Sequence, residues 1–171
     1  DFLSAVIEEL GGAVSGDTVF YADHAVRVVS IPIGADFDRI STILSEGQLE
    51  PEMARLSAEL ELDGKFVGVG VDRLDYTKGI PERIGAMARL LRETPGLAER
   101  FVFVQIGVPS RGDVPGYAEI AAEIDDLVAK VNDERGDGGR RVPIRYIKDT
   151  FQLPDLVALY GVADFCIVSS L

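Results

Sequence analysis

The sequence holds one cysteine, one histidine and no tryptophan in 171 residues, and each scarcity removes a class of chemistry. The lone thiol, Cys166, forms no internal disulfide and builds no cysteine-based zinc site. It stands in the apolar run "DFCIVSS", where a buried structural thiol is expected rather than a nucleophile. His24, in "YADHAVRV", has no second histidine or cysteine near it, so no metal is expected and its imidazole reads as a surface or partly buried structural group. Positive charge is also in short supply. Seventeen Lys and Arg against 29 Asp and Glu leave a formal charge of −12, which repels a nucleic-acid backbone or an anionic membrane surface. No nucleic-acid and no membrane partner is therefore expected. The aromatic residues lack the interleaving with basic ones that a nucleic-acid platform needs. No apolar run approaches the roughly 20 residues of a membrane-spanning helix, and "DFLSAVIEELGG" lacks the basic head and apolar block of a signal peptide. A cytoplasmic setting fits these absences.

What is present is an ordinary globular composition, 47% hydrophobic, arranged in apolar strands and amphipathic helices. Phe2, Leu3, Val6, Ile7 and Leu10 recur at helical spacing up to the "GG" at 11 and 12. "AVRVVSIPIG" reads as a strand ending near Gly34. A surface helix is expected over 48–62, on the stripe Leu49, Met53, Leu56 and Leu60. "KFVGVGV", "RFVFVQIGV", "VPIRYI" and "DFCIVSS" then read as strands, separated by helices over 81–93, from Tyr117 to Val131, and over "LPDLVALYG". Strands apolar on both faces that alternate with amphipathic helices predict an α/β fold, a Rossmann-like parallel sheet with helices on both faces. Both ends of the chain begin or stop within an element pattern, so it reads as a piece of a longer protein. The organisation expected is a tail of one domain over 1–35, a connecting helix over 36–64 and the first part of a second domain over 65–171.

In an open parallel sheet, ligands bind beyond the carboxyl ends of the strands, and three loops lie there. In "DRLDYTKGIP", Pro81 suits the first turn of a helix, which places Gly79 and Ile80 at its positive end. Arg73 and Lys78 add two full charges, and the three together could hold a diphosphate: a planar fork of donors, a mobile point charge and a backbone that a ligand can approach closely. The same cations could equally be solvated or paired with Asp72, Asp75 or Glu82. Spacing does not decide between these. In "VPSRGDVPGY", Arg111 follows a strand end, in a turn that needs no ligand. In "KDTFQLPD", Asp149 or Thr150 can cap the short helix, and Phe151 either plugs the core or stacks on a base. "VGVGVD" is not a dinucleotide fingerprint, because Gly68 and Gly70 fall inside the strand and no third glycine opens the next helix.

The stretches "VDRLDYTKGIPERI", "VQIGVPSRGDVPGY", "PIRYIKDTF" and "LVALYGVADFCIVSSL", in that order, closely resemble the trehalose-6-phosphate synthases, and "IPIGADF" resembles the strand exit before that family's second domain. The resemblance implies a GT-B glycosyltransferase: an N-terminal domain holding the acceptor and a C-terminal domain holding the nucleotide sugar. It implies glucose transfer from a nucleotide sugar, UDP-glucose foremost, to glucose 6-phosphate with retention, requiring neither metal nor cofactor. By the resemblance, Arg73 and Lys78 contact the donor diphosphate and serve the chemistry, Ile106 and the backbone around Phe151 line the base pocket, and Arg111 reaches the acceptor phosphate. A homo-oligomer is also left open. Competing readings are a non-catalytic regulatory or nucleotide-sugar-binding relative, and a transferase using a cyclitol or glycerol phosphate acceptor.

Overall fold

A computed structural model describes residues 2–45, 47, 49–109, 115–135 and 142–170, and the chain divides into two units, 1–37 and 38–171. In the first, helix α1 (Phe2–Leu10) packs on a small antiparallel sheet of β1 (Ala13–Ser15), β2 (Thr18–Tyr21) and β3 (His24–Arg27), in the order β1-β2-β3. Val6 and Val19 are buried there. This corrects the long strand expected over 25–34: only its first residues pair, with β2, and residues 28–36 form no regular element. The alternating apolar side chains beyond β3 are increasingly exposed, Val29 57%, Ile31 84% and Ile33 100%. Arg27 pairs instead with Asp17 across the meander at 2.6 Å.

The second unit begins with two helices, α2 (Phe37–Ser45) and α3 (Leu49–Glu59). The alternating block then supplies β4 (Phe66–Arg73), α4 (Ile80–Glu93), β5 (Phe101–Val108), α5 (Pro115–Arg135), β6 (Ile144–Ile147), α6 (Leu153–Val162) and β7 (Phe165–Cys166). Its four strands form one parallel sheet in the order β6-β5-β4-β7. The pleat sorts the side chains to two faces. Val67 and Val69 of β4 with Val102, Val104 and Ile106 of β5 face one way and pack with Leu56 of α3 and Leu159 of α6. Phe101 and Phe103 face the other way and pack with Ile84, Met87 and Leu91 of α4 and Ile124, Val128 and Val131 of α5. α3 thus does more than connect: its Leu56 is 2% exposed, sealed against the sheet.

Glycine at position 68 makes room for two rings. A Cβ there would run into Phe165 and Phe103, and Phe165 uses the space to stack on Phe66 at 5.5 Å and Phe101 at 6.3 Å. β7 is further tied to β4 by Asp164, whose carboxylate accepts from the Val67 N–H at 2.7 Å. Two expectations are corrected here. Cys166 is exposed rather than buried, because it lies on β7 at the edge of the sheet. The cap of α6 is Gln152, in a reciprocal capping box with Asp155, and neither Asp149 nor Thr150; the Asp149 carboxylate instead accepts from the Thr150 N–H.

Candidate functional site

The β4 and β5 ladders stay in register to their last residues, so Arg73 lies opposite Val108 and both strands end at one level. Beyond Arg73 the chain turns sharply. Asp75 accepts from the Thr77 N–H at 2.9 Å and the Thr77 hydroxyl at 2.8 Å, which sets a single 3-10 turn over Tyr76–Lys78. Gly79 then takes a left-handed conformation, φ 58° and ψ 36°, and delivers the chain to Ile80 and Pro81 at the start of α4. Most residues resist that conformation and glycine does not. The Thr77 hydrogen bonds, followed by the nearby charges of Arg73 and Lys78, hold the Asp75 carboxyl below the ordinary carboxylate range.

Arg73 is exposed and Lys78 half-buried. Among the described residues neither takes part in an ion pair, while Asp72, an alternative partner, is engaged by Arg83. Two cations therefore stand at the carboxyl end of β4 and in the turn that follows it, with Asp75 the carboxylate that feels both. Gly79 is buried, so a ligand arriving from solvent meets the side chains of Arg73 and Lys78 before that backbone. Ile106 is fully buried and faces α6; only its main chain, near the end of β5, is placed toward the strand ends. Phe151 is half-buried against the same core, just before α6. Arg111 lies outside the described residues. A cavity of about 490 Å³ lined by Glu61, Lys65, Phe101 and Arg145 opens at the amino ends of the strands. It is at the far end of the sheet from both cations, and parallel sheets of this kind bind ligands at the carboxyl ends.

Sequence reasoning missed what lies beneath this turn. Arg83, on α4, is 2% exposed. Its Nη2 donates to Asp72 Oδ2 at 2.8 Å and to the Lys78 carbonyl at 3.4 Å, its Nη1 to Gln105 Oε1 at 2.9 Å, and its Nε to Ser169 Oγ at 3.0 Å. Ser169 Oγ in turn lies 3.2 Å from the carbonyl oxygens of both Lys78 and Gly79, which share its one hydroxyl proton. The available signal was periodicity: position 83 falls on the stripe of Ile80, Ile84, Met87 and Leu91, all buried in α4. A glutamine inside "VFVQIGV" was a second.

The sequence matches the family model described as glycosyltransferase family 20 over residues 1–171. The chain belongs to glycosyltransferase family 20. Curated relatives include the alpha,alpha-trehalose-phosphate synthase (UDP-forming) of Pichia angusta, 34% identical over 99% of this chain, and the bifunctional trehalose-6-phosphate synthase/phosphatase of Thermoproteus tenax, 39% identical over 100%. The chain spans 35% of the first and 23% of the second. Among solved structures, the Burkholderia xenovorans synthase in complex with glucose-6-phosphate superposes with a TM-score of 0.89 at 27% identity, over 99% of this chain and 37% of that one. The Escherichia coli trehalose-6-phosphate protein bound with UDP-2-fluoro glucose gives 0.87 at 29%, with 99% and 37% covered. The α/β architecture is thus that of part of a GT-B glycosyltransferase of this family. Among the described residues, no helix is long and apolar enough to cross a membrane.

Proposed function

We propose that this chain forms part of a retaining glucosyltransferase that moves glucose from UDP-glucose to glucose 6-phosphate, giving trehalose 6-phosphate and UDP. Residues 65–171 supply the first part of the donor domain and residues 1–35 the tail of the acceptor domain, with 36–64 between them. The observation that carries the reading is the pair Arg73 and Lys78: two cations at the carboxyl end of the sheet, without ion-pair partners among the described residues, in a chain that matches the family over its whole length. Likeness to relatives whose structures hold glucose-6-phosphate and a UDP-glucose analogue supports the substrate classes. The main chain at Ile106 and Phe151 would border the base, and Arg111 would meet the acceptor phosphate. A cytoplasmic enzyme fits a chain with one unpaired cysteine.

The chemistry asks little of the protein beyond charge and position. The bond between the glucose anomeric carbon and the diphosphate oxygen breaks, its electron pair passing to that oxygen. The acceptor hydroxyl oxygen bonds to the anomeric carbon from the same face, and its proton goes to the departing phosphate oxygen. Negative charge grows on the diphosphate as this happens, and fixed cations whose attraction strengthens with that charge lower the barrier. Removing one such group commonly costs on the order of 3 kcal/mol, or roughly a hundredfold in rate.

Calorimetric titration of UDP and UDP-glucose into the chain tests the reading, repeated with Arg73→Ala and Lys78→Ala and at rising salt. Binding that weakens with salt, and at least tenfold in either variant, is expected. A folded chain whose UDP affinity is indifferent to both substitutions would sink the assignment of these cations to the diphosphate.

A further inference from the structure

We propose that Arg83, which is too deeply buried to touch a ligand, is a positioning residue: with Ser169 it holds the turn at 74–79 in the arrangement that carries Lys78 to the same end of the sheet as Arg73. The inference rests on the proposed function for the identity of the ligand, but not for the geometry of the turn.

A buried guanidinium is costly. An aliphatic side chain at position 83 would complete the apolar stripe of α4, and burying a guanidinium in its place is expensive unless its donors are satisfied. Here they are satisfied by groups that come from four separate places: Asp72 near the end of β4, Gln105 in β5, the Lys78 carbonyl in the turn, and Ser169 beyond β7. A buried ionic cluster is weak evidence for stability, and its best-attested use is to fix one arrangement among several. What this cluster fixes is the turn. The Lys78 and Gly79 carbonyls are drawn inward onto Ser169, and the Lys78 carbonyl also onto Arg83, so the backbone from which the Lys78 side chain departs cannot rotate without breaking them.

The sheet also makes room for it. Gly70 lies under the cluster, and a Cβ there would stand 2.5 Å from Arg83 Nη1 and 2.5 Å from Gln105 Oε1. The strand gives up a side chain at its centre so that the guanidinium can sit between helix and sheet. Asp72, 11% exposed in its side chain, is held by the same cation. That removes one carboxylate from competition for Lys78 and leaves Asp75 as the acid next to the turn.

Hydrogen exchange followed by mass spectrometry, without ligand, reads the turn directly, and UDP titration reads its consequence. Ser169→Ala deletes the latch while sparing the core. It is expected to speed exchange of the amides over 76–80 about fivefold and to leave those over 67–71 and 102–106 unchanged. UDP affinity should fall by a similar factor with an unaltered salt dependence, because Arg73 and Lys78 are still present, and Ser169→Thr, which keeps the hydroxyl, should restore both. Arg83→Lys, which keeps the charge but loses the fork, should not rescue the turn. Unchanged exchange over 76–80, or a uniform rise across β4 and β5, would overturn the positioning role. So would a loosened turn with unchanged UDP affinity. A turn that loosens in a chain to which UDP does not bind at all supports the positioning role and refutes the donor reading instead.

Discussion

Replacing Gly70 by alanine adds a net CH2, yet the space it would fill is already taken. The new Cβ would lie 2.5 Å from Arg83 Nη1, 2.5 Å from Gln105 Oε1 and 3.2 Å from Phe103 Cζ. Ordinary heavy-atom contact is about 3.5 Å, so the first two partners must each retreat by about 1 Å. Neither is free to do so. The guanidinium is held by Asp72 and Ser169 on its other nitrogens, and Gln105 is fully buried, with its amide on the Ile106 carbonyl at 2.9 Å. Overpacking of this kind costs about 1–3 kcal/mol. Loss of the Arg83 to Gln105 hydrogen bond adds about 1.5–3 kcal/mol. Because the two penalties overlap, we expect Gly70→Ala to destabilise by about 4 kcal/mol. Urea unfolding followed by circular dichroism measures it, and a cycle with Arg83→Met identifies the cause. Met is slimmer at its tip and vacates the clash, so the double variant should be less destabilised than the sum of the singles by about 1–2 kcal/mol. Gly85→Ala is the control: it lies on the exposed side of α4 with nothing near its Cβ, and should stabilise by about 0.5–1 kcal/mol. A Gly70→Ala chain within 1 kcal/mol of the parent, or strict additivity in the cycle, would refute the argument.

Asn132 ties the far end of α5 to β6, its amide donating to the Ile144 carbonyl at 2.9 Å and its oxygen accepting from the Ile144 N–H at 3.0 Å; Asn132→Ala should cost about 1–3 kcal/mol and deprotect the Ile144 amide in exchange experiments, and an unaffected amide would show that the pairing is idle. Tyr146 buries a hydroxyl that finds no hydrogen-bond partner among the described residues, so Tyr146→Phe should stabilise by about 1 kcal/mol in thermal unfolding, and a loss of stability would mean the hydroxyl is satisfied. Burial, helped by the charge of Asp125, also pushes that phenol up to about 12. An unfolded tyrosine ionises near pH 10, so the stability of the neutral buried phenol is whole below about pH 10 and is lost as pH rises toward the folded value. The Tyr146→Phe chain should lack that alkaline decline, and identical pH profiles for the two chains would count against it.

The second unit was legible where two periods alternate cleanly. Strands such as "RFVFVQIGV" and the stripe Tyr117, Ile120, Ile124 speak for themselves because each element buries a whole face within its own span. The first unit was legible only in α1, because its strands are three or four residues long and are organised by turns rather than by apolar faces. Gly16 before Asp17, with φ 61°, and Ala22 before Asp23, with φ 50°, reverse the chain between β1, β2 and β3. A glycine followed by aspartate between two short β-rich runs was the available hairpin signal, and it competes with the longer alternation of "RVVSIPIG". The connecting helix expected over 36–64 is the pair α2 and α3, and Asp36 ahead of Phe37, Ile40, Ile43 and Leu44 at helical spacing was the available start signal for the first of them.

The candidate site divides along a similar line. Arg73 and Lys78 stood out as candidates because cations at and just past a strand end break a local pattern, and local patterns are what spacing reveals. Arg83 could not be told from the exposed Arg89 or from Arg92 by residue type. Its burial depends on absences elsewhere: a missing side chain at Gly70, a glutamine rather than valine at 105, and a serine 86 positions away in sequence. Each of those residues looks ordinary alone. The glycines of "VGVGV" illustrate the point, for a phosphate-loop reading of Gly68 and Gly70 fails, yet neither position is idle. One admits the Phe165 ring that docks β7 and the other admits the Arg83 fork. Both glycines therefore act by what they allow to pack against β4, and on the proposed reading Gly70, through Arg83, makes the interior of that strand part of what holds Lys78 beside Arg73.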